Sequence, residues 1–439
     1  MKIKIRNIKK TLYITVMAVI VTLAACASIA KPADIAIHDF TDLDSSVMPA
    51  AFIDIGDGKW PDSIRLAFTQ AIKIHDTIVF TGTLDGAQGT LTLNIPAGKK
   101  AVWTASLNGS GTGTMLKLIG RGTFDMHSGD ILSGGIAINN TSTGAINING
   151  GTVSSVDNIA INNVSAGLIT ISEANPDMPT LITSENFNSA EGTIYLGSLG
   201  MSGEAILIMN GGVVTNNGSS GNARAIRNDS RGAVNITGGR VHAPRGRGID
   251  NQGFGTVNIS GGTVSSQFGG SSSIHNASFG TVNISGGTVS TDSSWALHMT
   301  GNSIVNISGG TVMTRWGRAI NAAGSCFITI SESDPEVPTL ISSTNGSTGI
   351  GTITLLGTSR LVINGGKIMD TADSENSCGI YSSSKGSIHI SGAHTSILAQ
   401  SHPEALAIFR STDEAGEVFI AADVPEENIS NRGSINWTK

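Results

Sequence analysis

Aromatic side chains make up only 5% of the 439 residues and charged ones 14%, well below the roughly one quarter charged that is usual in globular domains. That excludes the make-up of a helical enzyme. A formal net charge of -6 with 39% apolar residues also excludes disorder, because enough hydrophobic surface remains to build a core. Long apolar runs are missing too: the stretch from Thr11 to Ala25 is too short to cross a bilayer comfortably. Cysteine is scarce, and neither Cys326 nor Cys378 sits near a His/Cys cluster with zinc spacing, so no structural metal is expected. Glycine, by contrast, is abundant. Its 56 copies, about 13% against a usual share near 7%, are spread through a chain of uniform composition after the first 130 residues. Uniformity on that scale indicates a repeat array and one elongated domain.

The N-terminus carries Lys2, Lys4, Arg6, Lys9 and Lys10 ahead of its apolar stretch, the pattern of a signal peptide over residues 1–25. It ends in Leu23-Ala24-Ala25-Cys26, which resembles the lipobox of bacterial lipoproteins. The resemblance implies cleavage before Cys26, lipidation of its thiol, and an exported protein held on the cell surface or outer membrane by acyl chains. Removing five positive charges leaves 22 basic and 33 acidic residues, a mature net charge of -11. Residues 26–46, with Asp34, Asp39, Asp42 and Asp44, read as an acidic tether.

The repeat emerges on aligning the chain with itself. AINNTSTG from Ala137, AINNVSAG from Ala160, AIRNDSRG from Ala225, GIDNQGFG from Gly248, SIHNASFG from Ser273, ALHMTGNS from Ala296, AINAAGSC from Ala319 and GIYSSSKG from Gly379 are mostly 23 residues apart. Each is followed by a second conserved-length segment such as AVNITGGRV or TVNISGGTV, giving three short β segments per unit. Two longer intervals contain matching inserts, ITISEANPDMPTLITS from Ile169 and ITISESDPEVPTLISS from Ile328, followed by GTIYL and GTITL. Each long interval therefore holds two enlarged units, and eleven units follow residue 136.

In AVNIT, Val234 and Ile236 fall on one side and Asn235 on the other, with Val241 inward again beyond the glycine pair. A unit with so few inward aliphatics cannot bury them alone. Stacked on its neighbours about 4.8 Å away, it forms a continuous aliphatic column. Asn140, Asn163, Asn228, Asn251 and Asn276 share one position and predict an amide ladder at a corner. The expected fold is all-β, a parallel solenoid. The chain resembles the pectate-lyase-like right-handed parallel β-helix superfamily, and within it bacterial surface proteins rich in GTVNISGGTV units, over about residues 50 to 425. That resemblance implies a right-handed β-helix with an N-terminal capping helix. Residues 47–134 fit the cap and first coils: Asp62-Ser63 opens a segment with Ile64, Phe68, Ala71, Ile72 and His75 at helical spacing. Residues 135–439 form the repeats and the C-terminal end, where Asp413, Glu414, Glu417, Glu426 and Glu427 are expected to protect the last coil by charge. Cys326 and Cys378 fall two coils apart, too far for a disulfide, and are expected to be free.

Charge is uneven. Residues 224–318 contain eight of the 14 arginines (224, 227, 231, 240, 245, 247, 315 and 318), no lysine and three aspartates. The third position of each unit, expected to face solvent, reads Asn139, Asn162, Arg227, Asp250, His275, His298, Asn321, Tyr381; three residues earlier stand Ile136, Ile159, Arg224, Arg247, Ser272, Trp295, Arg318, Cys378. Stacked, the two columns give a ligand-binding strip of Arg224, Arg227, Arg247, Asp250, His275, Trp295, His298 and Arg318. Such a strip suits an extended anionic polymer, with Arg pairing carboxylates or sulfates and Trp stacking on sugar rings. The expected partner is an extracellular polysaccharide or cell-surface glycan; nucleic acid is a poor candidate for an exported chain of net -11.

Catalysis is the alternative. Asp229 and Asp250 lie on adjacent coils and could form a carboxylate pair for a glycoside hydrolase. A metal-free lyase could use Arg227 against a uronate carboxylate and His275 or His298 as base. Calcium-dependent pectate lyases of the resembling superfamily use several acids on neighbouring coils, where this strip offers one. In the inserts, Glu173 and Asp177, and Glu332, Asp334 and Glu336, are carboxylates that could take calcium, although the flanking prolines favour stiff loops. The reading is a lipid-anchored surface protein with a non-catalytic, adhesive role toward glycans and no cofactor; a stalk without any small ligand is the third possibility.

Overall fold

The computed structural model describes residues 50–430, apart from 57–59, 176–178, 189–190, 198–202, 269–270, 335, 337, 400–401 and 412–414. All belong to the unit Ile37–Lys439. The signal peptide, Cys26 and the tether fall outside the described residues.

Three strands make each coil, and every strand pairs in parallel with its counterpart one coil on. Ile138–Asn140, Ala145–Ile148 and Gly151–Ser155 form one such coil, stacked on Ile161–Asn163, Leu168–Ile171 and Thr180–Ser184. The first strand of each coil joins a thirteen-stranded parallel sheet; the other two join a second sheet of 26 strands. The protein is a parallel β-solenoid. Eleven members of the thirteen-stranded sheet follow residue 136, as the repeat count predicts. The inserts leave the ladders intact: Leu168–Ile171 and Thr180–Ser184 pair with Ile206–Met209 and Val213–Asn216.

Period-two alternation drives one side chain in two into the interior. Along the thirteen-stranded sheet Ile138, Ile161, Ile194, Ile226, Ile249, Ile274, Leu297 and Ile320 stack and are all buried. One coil of this core is small, and only stacking makes it continuous. The tight corner before the third strand needs glycine: Gly239 has a φ of +78°, and a Cβ there would lie 2.6 Å from the Gly212 carbonyl oxygen of the preceding coil. The amide ladder forms as expected. Asn228 Nδ2 donates to Asn251 at 2.9 Å and Asn251 Nδ2 to Asn276 at 2.8 Å, while Asn251 and Asn276 also satisfy the Gly255 and Gly280 carbonyls. It is interrupted where Leu196 takes the position between Asn163 and Asn228.

Helix α1, Asp62–Ile74, buries Ile64, Ala67, Phe68, Ala71 and Ile72. His75 is its C-cap residue rather than part of the apolar face. Phe68 meets Phe80 at 5.7 Å, and Phe80, Trp103 and Phe124 continue as a column of rings through successive coils. Toward the other end, Glu417, Glu426 and Glu427 are exposed beside apolar contacts. Val424 and Ile429 are buried, and Ile429 bridges to Ile397. Asp413 and Glu414 fall outside the described residues. Cys326 and Cys378 are free and buried, and burial pushes the Cys378 thiol up to about 12.

Replacing Asn251 by Ala removes one rung and leaves Asn228 Nδ2 and Asn276 Oδ1 short of partners. A loss of about 2–3 kcal/mol is expected in denaturant unfolding. A loss below about 0.5 kcal/mol would show the ladder to be incidental.

Candidate functional site

The face of the thirteen-stranded sheet carries the two columns, and a local irregularity brings them together. In a regular strand, residues three apart point to opposite sides. Here Ala225 and Ile226 both point inward: each is buried, and the ladder skips Ala225 while pairing Arg224 with Arg247 and Ile226 with Ile249. Two consecutive inward residues return Arg227 to the same outer side as Arg224. The first member of this pair is small in most coils, and at Gly248 a Cβ would lie 2.9 Å from Val264. Ala137, Ala160, Ala225, Ser273, Ala296 and Ala319 all occupy that place.

The register confirms the stacking Arg227, Asp250, His275, His298, Asn321. It also adds Tyr195 below Arg227 and Thr354 above Asn321, which the sequence alignment passed over. In the second column Ser272 pairs with Trp295 and Trp295 with Arg318.

The expectation of uniformly solvent-facing positions needs correction. Asp250 is 0% exposed, Asn321 4%, Arg224 5% and His275 8%. Their outward side chains are long or charged, and they fold onto one another along the ladder instead of extending into water. Asp250 lies at the centre. Its carboxylate accepts from Arg224 Nε, from Arg247 Nη1 at 3.1 Å to each oxygen, and from Gln252 Nε2 at 2.7 Å; Arg227 Nη1 stands 3.7 Å away. His275 Nδ1 lies 2.8 Å from Asp250 Oδ1 and, facing an acceptor, carries the proton. Arg227 Nε also bonds both oxygens of Asp229, at 2.9 and 3.0 Å, and Tyr195 donates its hydroxyl to Asp229 at 3.2 Å.

Burial by itself would raise the Asp250 carboxyl. The His275 hydrogen bond and the Arg247 and Arg224 charges reverse this and hold it well below the usual carboxylate range. Asp250 is therefore a fixed anion. It lacks the raised pKa of a general acid, and Asp229 is likewise committed to Arg227 and Tyr195. His298 stands 5.1 Å from His275 and 4.2 Å from Trp295, ring centre to ring centre. Burial, then the charges of His275, Arg247 and Arg318, lower it to about 3, so it is neutral at physiological pH. Burial also lowers the Arg224 and Arg318 guanidinium pKa values.

Of the cluster's other arginines, Arg240 lies in the 26-stranded sheet and three cover aromatic rings. Arg231 lies 5.3 Å over Phe254, which stacks on Phe279; Arg245 covers Phe268 and Arg315 covers Trp316, each at 5.2 Å. Tyr195 and Gln252 are the partners that sequence reasoning missed. Superposing Ile194 of GTIYL on Ile226 of AIRN would have found the first. In the inserts, Glu173 accepts from the Gly212 N–H at 3.3 Å and Asp334 from the Glu336 N–H at 2.9 Å. Asp177 lies outside the described residues.

Comparison with protein-family models, with curated proteins and with solved structures finds nothing that matches this chain.

Two measurements check the electrostatics. Asp250→Asn leaves the guanidiniums around it without their anion and is expected to cost about 3–5 kcal/mol in unfolding experiments. The acid response follows from the signs. Unfolded His298 takes up its proton near pH 6.5, whereas the folded residue waits until about 3. Its contribution is thus present above pH 6.5 and is lost as pH falls from there toward 3. Asp250, with its depressed folded value, adds a further loss below about pH 4. His298→Gln should flatten the stability profile between pH 6.5 and 4; an unchanged slope there would contradict the assignment.

Proposed function

We propose that the chain is an exported, lipid-anchored surface protein of the pectate-lyase-like right-handed β-helix kind, whose thirteen-stranded face binds extended acidic glycans without cleaving them. One observation carries this reading: Arg227, Asp250, His275 and His298, with Arg247, Trp295 and Arg318 beside them, form a continuous polar and aromatic strip over successive coils. The coil spacing of about 4.8 Å is close to the length of one sugar in an extended polysaccharide, so a polymer lying along the axis would meet an equivalent position at each residue. Four arginines against two aspartates make the strip positive. Arg318 has no acidic partner among the described residues, which leaves it for a ligand carboxylate or sulfate. The half-buried Trp295 ring supplies the apolar surface that sugar faces pack on.

A hydrolase or lyase reading asks more of these residues than their surroundings favour. Asp229 and Asp250 are both held as ion-paired carboxylates, and His298 is a very weak base.

The test is binding of purified protein to a panel of acidic and neutral polysaccharides. Acidic polymers are expected to bind, more weakly at higher salt, with Trp295→Ala and Arg318→Ala each reducing affinity about 5- to 30-fold. Release of new reducing ends or unsaturated uronate would replace this reading with an enzymatic one. Absence of binding to every polymer would leave a structural stalk.

A further inference from the structure

Among the described residues, eight side-chain nitrogen or oxygen atoms are buried without a hydrogen-bond partner. Three of them fall together in one column: Arg247 Nε, Ser272 Oγ and Arg318 Nε. Asn321 Oδ1, on the coil of Arg318, is a fourth. Orphaned buried polar atoms are rare and costly, so several of them along one column call for an explanation.

The column order supplies it. Ser272 is the one small residue between Arg247 and Trp295, and it is 1% exposed. Its ladder partner Trp295 and, on the preceding coil, Arg247 are long side chains, which can move aside by rotamer changes where backbone could not. Beyond Trp295 in the same column stands Arg318. Arg247 spends Nη1 on Asp250, and its Nε stays unpaired.

We propose that the Ser272 position is a closed anion subsite, in which one carboxylate or sulfate group of an acidic sugar inserts between Arg247 and Trp295 and bonds Arg247 Nε and Ser272 Oγ. The sugar ring then lies on Trp295, and Arg318 meets the next part of the ligand. This rests on the glycan-binding reading and narrows it: the anionic group is recognised individually, by a hydroxyl and a guanidinium, and not only by the diffuse charge of the face.

The experiment titrates the intact protein with sodium sulfate, with glucuronate and with an acidic polysaccharide, read by calorimetry and by tryptophan fluorescence. Ser272→Leu fills the subsite without changing charge. Ser272→Ala is the second variant, because the hydroxyl it removes has no hydrogen-bond partner whose loss would unfold the protein. Glucuronate or sulfate is expected to compete with the polymer, the fluorescence change to vanish in Trp295→Phe, and Ser272→Leu to weaken all binding at least tenfold while the thermal midpoint stays within a few degrees. Polymer binding that is indifferent to Ser272→Leu and to both small anions overturns the subsite and leaves the wider reading standing. Small-anion binding lost in Ser272→Leu, with no polymer bound, supports the subsite and overturns the wider reading. Which small anion competes distinguishes carboxylate from sulfate. Should Ser272→Leu fail to fold, small-anion binding undiminished in Ser272→Ala, with no fluorescence response from Trp295, overturns the proposal.

Discussion

The parallel hydrogen-bond ladder from coil to coil is the constraint on which everything else depends. Each strand is held against its equivalent in the next coil, so identical sequence positions lie one above another and nowhere else. From that single condition follow the interior isoleucine column, the asparagine ladder at the corner and the outer file of Arg227, Asp250, His275 and His298. A slip of one residue would turn the isoleucines outward and the charges inward. The apolar column and the charged file thus stabilise the same register from opposite sides of the sheet.

The outer face shows what stacking does to ionisable groups. A carboxylate on an isolated strand would be hydrated, but one placed under arginines from its own and the preceding coil, with a histidine from the next, is dehydrated and replaced in hydration by fixed donors. Asp250 is the outcome, an anion whose charge is answered three times over. Its neighbours remain in excess, and the excess is what a ligand would meet. His298, pressed between other positive groups, avoids the conflict by staying neutral.

Much of this was legible from residues alone. The 23-residue spacing gave the solenoid, the three strands per coil and the eleven units, because the interior tolerates almost nothing but small and β-branched residues at fixed places. Helix α1 announced itself through Ile64, Phe68, Ala71 and Ile72. Burial on the outer face was not legible. Alternation says on which side Asp250 emerges, but only the neighbours' reach decides whether water still touches it. Tyr195 escaped notice because its unit follows a long loop and lacks the Asn that marks the others, although its Ile194 keeps the register. The double inward step at Ala225 and Ile226 was also hidden, since two adjacent apolar residues resemble the edge of a strand as easily as a kink within one.

The column of rings from Phe68 to Phe124 gives the solenoid unequal ends. Near α1, large aromatic surfaces are packed across four successive layers, whereas the last described turn buries slender aliphatics such as Val424 and Ile429. A rod of this construction comes apart by shedding outermost turns, since each turn is held mainly by the one next to it. Mechanical load applied through the termini would therefore unspool the C-terminal turns first, while the stretch nearest α1 holds as an anchor point from which lost turns can wind back.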